Sequence, residues 1–259
     1  MRKATGNHLI TTWIVQGLLQ DGKLENLEME MRILKMDIIG ISETHWKGCG
    51  EITTKNNNYF VYSGVNVDQQ SRKGVGILMN DLLRSSINCI IKKSERIIMV
   101  NMKTKSGIMN VIQIYAPTAD SEDDVCEEFY ADLEEVLALT KKDDTTLIMG
   151  DFNAKVGKAK VLDIVGVYGL VNARFRNAIK GAKTYPGADI GSDHNPIAVK
   201  VKVSLKKMLK KKHNSKPNFN LLEAQETRNE IKNYLNQKVA EQAIELRSEE
   251  DIDKILEQA

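Results

Sequence analysis

The sequence predicts an α/β fold, and three observations carry it. Short apolar runs end abruptly in polar residues at several points, as strands do at the rim of a sheet. Between them, two stretches repeat apolar residues at helical spacing. One pair of apolar runs flanks Lys103-Thr104-Lys105-Ser106-Gly107, a hairpin signal.

Taken in order, Met1 to Gly6 has no apolar core of the secretory kind, and residues 1–10 read as a tail. Trp13-Ile14-Val15 belongs to a first strand. Leu24, Leu27, Met31 and Leu34 share one helical face after Asp21-Gly22, which predicts the first helix. Ile38 to Ile41 is an apolar strand that runs out into Ser42-Glu43-Thr44-His45-Trp46. Gly74-Val75-Gly76-Ile77-Leu78-Met79 reads as another strand, whose glycines fit a bulge better than a phosphate cradle. Ile97 to Met102 and Ile108 to Tyr115 are the hairpin strands, and Pro117 stops the second. Val125, Phe129, Leu133 and Val136 form a second helical stripe, with Ser121 and Asp124 placed as a capping box. Leu147-Ile148-Met149 is a buried strand ending in Gly150. Ile197, Val199, Val201 and Val203 alternate with Ala198, Lys200 and Lys202, a half-buried strand with a basic outer face. Composition then shifts to Lys206, Lys207, Lys210, Lys211 and Lys212, followed by Asn214-Ser215-Lys216-Pro217. Residues 205–220 read as a basic linker and 221–259 as a helical tail, with Ile231, Leu235 and Val239 on one face.

At 259 residues, with 42% hydrophobic and 28% charged, the chain can bury a full core as one domain. The net charge of +2 excludes a polycation, so only a local patch could attract nucleic acid. The three cysteines, Cys49, Cys89 and Cys126, match no zinc spacing; they read as small apolar residues and imply a reducing compartment. No apolar run approaches the roughly 20 residues of a membrane span. These features predict a nuclear or cytoplasmic location and no secretion.

The chemistry concentrates at four strand ends. Asp151 and Asn153, two positions apart after Gly150, place a proton-exchanging carboxylate beside a hydrogen-bonding amide. The plainer reading of that pair is an Asx-turn. Glu43 stands just past its strand, Tyr115 near the end of another, and Gly191-Ser192-Asp193-His194-Asn195-Pro196 precedes the last strand. Glu43 and Asp193 are hard oxygen ligands of the type suited to Mg²⁺, with Mn²⁺ as a substitute. His194 is the histidine inside a motif with a carboxylate neighbour; His8, His45 and His213 read as surface or structural, although His45 is close to Glu43 in sequence.

The ordered set Ser42-Glu43-Thr44, Tyr115-Ala116-Pro117, Gly150-Asp151-Phe152-Asn153 and Ser192-Asp193-His194 resembles the endonuclease/exonuclease/phosphatase superfamily. Its wording is most similar to the endonuclease domains of RTE-type non-LTR retrotransposons. The resemblance runs from about Thr11 to the basic run and implies a domain over residues 11–204. It implies a two-sheet, four-layer α/β sandwich and Mg²⁺-dependent hydrolysis of DNA phosphodiesters. It implies Glu43 and Asp193 at the metal, Asp151 as the proton-transfer group, Asn153 and Tyr115 orienting the phosphate, and His194 at the scissile phosphorus.

Two departures qualify what the resemblance implies. Ile14 stands where the family has Asn, and it brings no polar side-chain atom. The 42 positions from Asp151 to Asp193 are too few for the family's further strands, which include an Ile-Asp-Tyr strand whose Asp pairs with the histidine matching His194. Asp163 and Asp189 are the aspartates in Val161 to Gly191, and neither is in such a strand. A deletion near 169–174 would truncate one sheet. The expectation is therefore an impaired endonuclease, or a catalytically dead remnant that binds nucleic acid or protein. DNA contact would be non-specific, through Lys206, Lys207, Lys210, Lys211 and Lys212. A phosphoinositide or sphingolipid substrate is a weaker third reading.

Overall fold

A computed structural model describes residues 5–68, 72–105, 107–153, 169–171 and 178–204. The chain divides into two units, Met1–Leu209 and Lys210–Ala259. The basic run Lys206 to Lys212, the tail through Ile231, Leu235 and Val239, His213, Asp163 and residues 172–174 all lie outside the described residues.

In chain order the elements are β1 (Thr5–Ile14), α1 (Lys23–Ile33), β2 (Ile38–Ser42), β3 (Cys49–Thr53), β4 (Asn58–Ser63) and β5 (Val75–Asn80). Next come α2 (Asp81–Arg84), β6 (Ile87–Ser94), β7 (Ile97–Thr104), β8 (Gly107–Tyr115), α3 (Asp123–Ala138) and β9 (Thr145–Asp151). The last are β10 (Gly169–Val171), β11 (Ile179–Thr184) and β12 (Ile197–Ser204). They form a seven-stranded sheet, β11-β12-β1-β2-β5-β4-β3, and a five-stranded sheet, β10-β9-β8-β7-β6. Each sheet has one parallel pair, β1 with β2 and β8 with β9. Among the described residues, β10 lies at one edge of the five-stranded sheet.

Burial explains why the central strands are largely apolar. Ile10, Ile38, Val61 and Ile77 from one sheet meet Ile98, Val100, Val111 and Met149 from the other. The opposite face of the larger sheet, with Trp13, Ile39, Ile41, Phe60 and Leu78, packs on Leu27 and Met31 of α1. The outer face of the smaller sheet, with Met99, Ile112, Ile114 and Ile148, packs on Phe129 and Val136 of α3. The layers run helix, sheet, sheet, helix, so central strands are covered on both faces. Buried Glu28 fastens α1 to the β3–β4 hairpin by accepting from the Thr54 hydroxyl and from the Asn56 and Asn58 amides.

Several expectations are corrected. β1 takes in residues 5–10, read above as a tail, because they pair with β12. β5 runs in unbroken register with both β2 and β4, so Gly76 marks no bulge, and Gly74 lies before the strand. A Cβ on Gly76 would stand 2.5 Å from the Phe60 ring, and packing space is what that glycine supplies. α3 begins at Asp123 after Glu122 with no side-chain cap, and the Ser121 hydroxyl instead meets that of Thr118 at 3.2 Å. All three cysteines are free, and Cys49 and Cys89 are exposed rather than packed as apolar residues. Among the described residues no helix is long and apolar enough to cross a membrane.

Candidate active site

The two parallel pairs bring three of the four motifs to where the rims of the two sheets meet. β2 ends at Ser42, and Glu43 follows with φ 59°, a left-handed conformation that costs a non-glycine residue about 1–3 kcal/mol. The surroundings hold it there. Gly17 N–H donates to the Glu43 carbonyl at 2.7 Å, and Thr44 N–H donates to the Gly74 carbonyl at 3.0 Å. Gly74 permits that approach, since a Cβ on it would lie 2.3 Å from the Thr44 hydroxyl.

Tyr115 ends β8 and donates its phenol to Glu43 Oε1 at 3.0 Å, across 72 positions of sequence. Asp151 ends β9 directly in register with Tyr115. Burial, then the charge and hydrogen bond of Glu43, then the charge of Asp151 push the Tyr115 phenol up to about 12. Arg96 lies against the same residue, with its guanidinium 5.4 Å from the ring centroid and donating to the Tyr115 carbonyl at 3.0 Å.

Asp151 does form the Asx-turn, accepting from Asn153 N–H at 2.9 Å. Asn153 has left the strand, with φ 44°, and its side-chain amide donates to the Ala116 carbonyl at 2.6 Å. Turn and site therefore coincide: the turn ties the Asp151 end to the Tyr115-Ala116-Pro117 segment.

The Ser192-Asp193-His194 segment is anchored to the end of β1. The Ser192 hydroxyl donates to the Ile14 carbonyl at 2.7 Å, and Trp13 Nε1 donates to the His194 carbonyl at 2.8 Å. Ile14 pairs with Ser42, which precedes Glu43. The backbone of Ile14 thus serves the site although its side chain cannot. The His194 ring meets only its neighbour Asp193 among the described residues, at 3.4 Å, with side chains 48% and 76% exposed. So exposed a pair contributes little and fixes neither group. Among the described residues no group of three or more His, Cys, Asp or Glu is assembled for a metal.

Two residues were missed. His45 is not a surface histidine. Its Nε2 is 3.8 Å from Glu43 Oε2. Burial first, then the charges of Arg72 and Lys23, push its pKa down against the pull of Glu43. Gln113 is wholly buried and bonds Thr12 and Ser42 of the other sheet. Its signal was present as one of two carboxamides, with Asn110, inside an otherwise apolar run.

The raised phenols give a pH prediction. Tyr115 and Tyr59, the latter buried and bonded to Glu51, both titrate at about 12 instead of 10.0. The native state holds these protons more tightly than the unfolded chain. That stabilisation is full below pH 10.0 and is lost as pH rises through about 12. Denaturant midpoints are expected to fall across that window, and less so in Tyr59→Phe and Tyr115→Phe.

No family model matches the chain. It is 31% identical to craniofacial development protein 2 of Bos taurus, over 80% of this chain and 43% of that protein. The same protein of Tragulus javanicus is 30% identical, over 80% and 44%. Over this shared part the chain is similar to craniofacial development protein 2. It spans less than half the length of these curated relatives. In three dimensions it resembles the Xenopus laevis APE2 catalytic domain, with a TM-score of 0.58 at 15% identity over 78% of this chain and 94% of that one. The AP endonuclease LMAP of Leishmania major gives 0.56 at 13%, over 76% and 88%. The endonuclease domain of TRAS1, a telomere-specific non-LTR retrotransposon, gives 0.52 at 14%, over 76% and 99%. The fold is that of the endonuclease/exonuclease/phosphatase sandwich, and its neighbours are nucleases.

Proposed function

We propose that the chain is a Mg²⁺-dependent endonuclease that hydrolyses DNA phosphodiesters, with turnover impaired at His194. The observation that carries this reading is the Tyr115–Glu43 hydrogen bond with Asp151 in register beside it. Three polar groups that apolar cores exclude are gathered where the rims of the two sheets meet, from three separate strand ends.

Glu43 and Asp193 would hold the ion. Two carboxylates suit Mg²⁺, which keeps several waters, and Mn²⁺ in its place; a structural zinc needs four ligands of mainly N and S type. When bound, the ion supplies positive charge to the phosphate oxygens. Tyr115 gives its single phenolic proton to Glu43, so its role is to fix that carboxylate rather than to grip the phosphate. Asp151 accepts a backbone N–H on one oxygen, which leaves the other for the proton of the attacking water. Asn153 spends one amide hydrogen on Ala116 and keeps the second for a phosphate oxygen.

Calorimetry tests the metal site. Mg²⁺ or Mn²⁺ is expected to give a binding signal that Glu43→Gln abolishes. A signal unchanged by that substitution would refute the site.

DNA binding is read as electrostatic and blind to sequence, through exposed Lys200 and Lys202 of β12 and the run Lys206, Lys207, Lys210, Lys211 and Lys212. Each phosphate neutralised contributes roughly 0.9 to the slope of log K against log salt on duplex DNA. Replacing the five lysines of the run by Gln is expected to flatten that slope. An unchanged slope would make the run a linker only.

The exposed His194–Asp193 pair favours a second reading, in which the chain binds nucleic acid or protein without cleaving it.

A further inference from the structure

The wholly buried Gln113 presents a question of cost. A primary amide in a sandwich core gains little over an apolar side chain of equal size, and left unpaired it would be destabilising. Every side-chain hydrogen bond it makes crosses to the other sheet. Nε2 donates to the Ser42 hydroxyl at 2.9 Å and stands 3.3 Å from the Thr12 hydroxyl, which also lies 3.3 Å from Oε1. The Ser42 hydroxyl in turn donates back to the Ile114 carbonyl at 3.2 Å. Room for the amide is reserved by Gly40, where a Cβ would lie 2.0 Å from Gln113 Oε1.

These bonds close a ring. Gln113, Ile114 and Tyr115 are consecutive on β8, while Ser42 and Glu43 are consecutive at the end of β2. Gln113 and Tyr115 are two positions apart, so both side chains face the opposing sheet. One side of the ring is the Gln113–Ser42–Ile114 relay, and the other is the Tyr115–Glu43 hydrogen bond. Fully satisfied buried polar networks of this kind fix one register where an apolar contact would allow sliding.

We infer that Gln113 is a positioning residue of the proposed active site: with Ser42 it locks β8 against β2, so that Tyr115 meets Glu43. This rests on the endonuclease reading for its purpose, but not for its geometry. Gln113 touches no reacting atom and acts through the two residues at the rim.

The test labels the seven tyrosines with 3-fluorotyrosine and follows ¹⁹F resonances in the full chain. The Tyr115 signal is assigned by its loss in Tyr115→Phe. Its position in Glu43→Ala marks the broken pair. Gln113→Met keeps the volume and removes the amide, and it is expected to move the Tyr115 signal toward the Glu43→Ala position. Ser42→Ala, which removes only the relay hydroxyl, is expected to move it the same way. A Tyr115 signal unmoved in folded Gln113→Met, with only a lower melting temperature, would overturn the inference and leave Gln113 a core residue. Should Gln113→Met not fold, the Ser42→Ala signal decides by the same two outcomes. Neither substrate nor metal enters the measurement, so failure of the endonuclease reading would leave its result untouched.

Discussion

Asp151→Asn is expected to cut Mg²⁺-dependent nicking of supercoiled plasmid by about 10²–10⁴-fold, the usual worth of a positioned acid–base group. His194→Ala is expected to cost far less. The contrast follows from how each group is held. Asp151 is fixed by its Asx-turn, by register with Tyr115 and by the Asn153 tie to Ala116. His194 has its backbone fixed by Trp13 and Ser192, yet its ring is half exposed beside an even more exposed Asp193. A histidine that helps catalysis needs a partner to set its tautomer and stabilise its charged form. Starting activity should therefore already be low. Nicking at the rate of an intact nuclease, abolished by His194→Ala, would show that another group orients His194 and that the impaired reading is wrong.

The parts of this molecule that could be read in advance are those whose cause is local. Apolar runs bounded by polar residues gave β2, β8 and β9, because a strand buried on both faces needs a mostly apolar run, which in β8 only Asn110 and Gln113 interrupt. The hairpin at Lys103–Gly107 appeared as expected, with Thr104 opposite Gly107. Helical stripes gave α1 and α3, since Leu27, Met31, Phe129 and Val136 must share faces to be buried. What escaped depends on distant chain. Residues 5–10 look polar enough for a tail until β12 supplies their partners. The Gly76 position looked like a bulge because nothing nearby announces the Phe60 ring it must clear. At the site, Glu43, Tyr115 and Asp151 were legible as polar strand ends. The roles of His45 and Gln113 depend on what faces them across the sheets, and no spacing rule reports that.

Gly150→Ala is expected to destabilise the fold by about 3–5 kcal/mol, the sum of backbone strain and overpacking with no side-chain relief. Gly150 has φ +136°, a conformation that L side chains rarely adopt. A Cβ there would lie 1.9 Å from the Ile114 carbonyl oxygen and 2.9 Å from its nitrogen. Both atoms are backbone of β8, which pairs with β9 at this point, so no rotamer change can make room. The strands would have to part at the one place where Tyr115 and Asp151 are held in register. For a domain of this size each kcal/mol shifts the melting temperature by about 2–4 °C, which predicts a drop of roughly 6–20 °C. Gly107→Ala provides the control, because Gly107 has nearly the same φ, +134°, and nothing within 4 Å of a built Cβ. It should carry the strain without the clash and cost clearly less. Equal drops for the two variants would show that β8 and β9 yield to the added methyl, and that the register at the site is softer than the geometry implies.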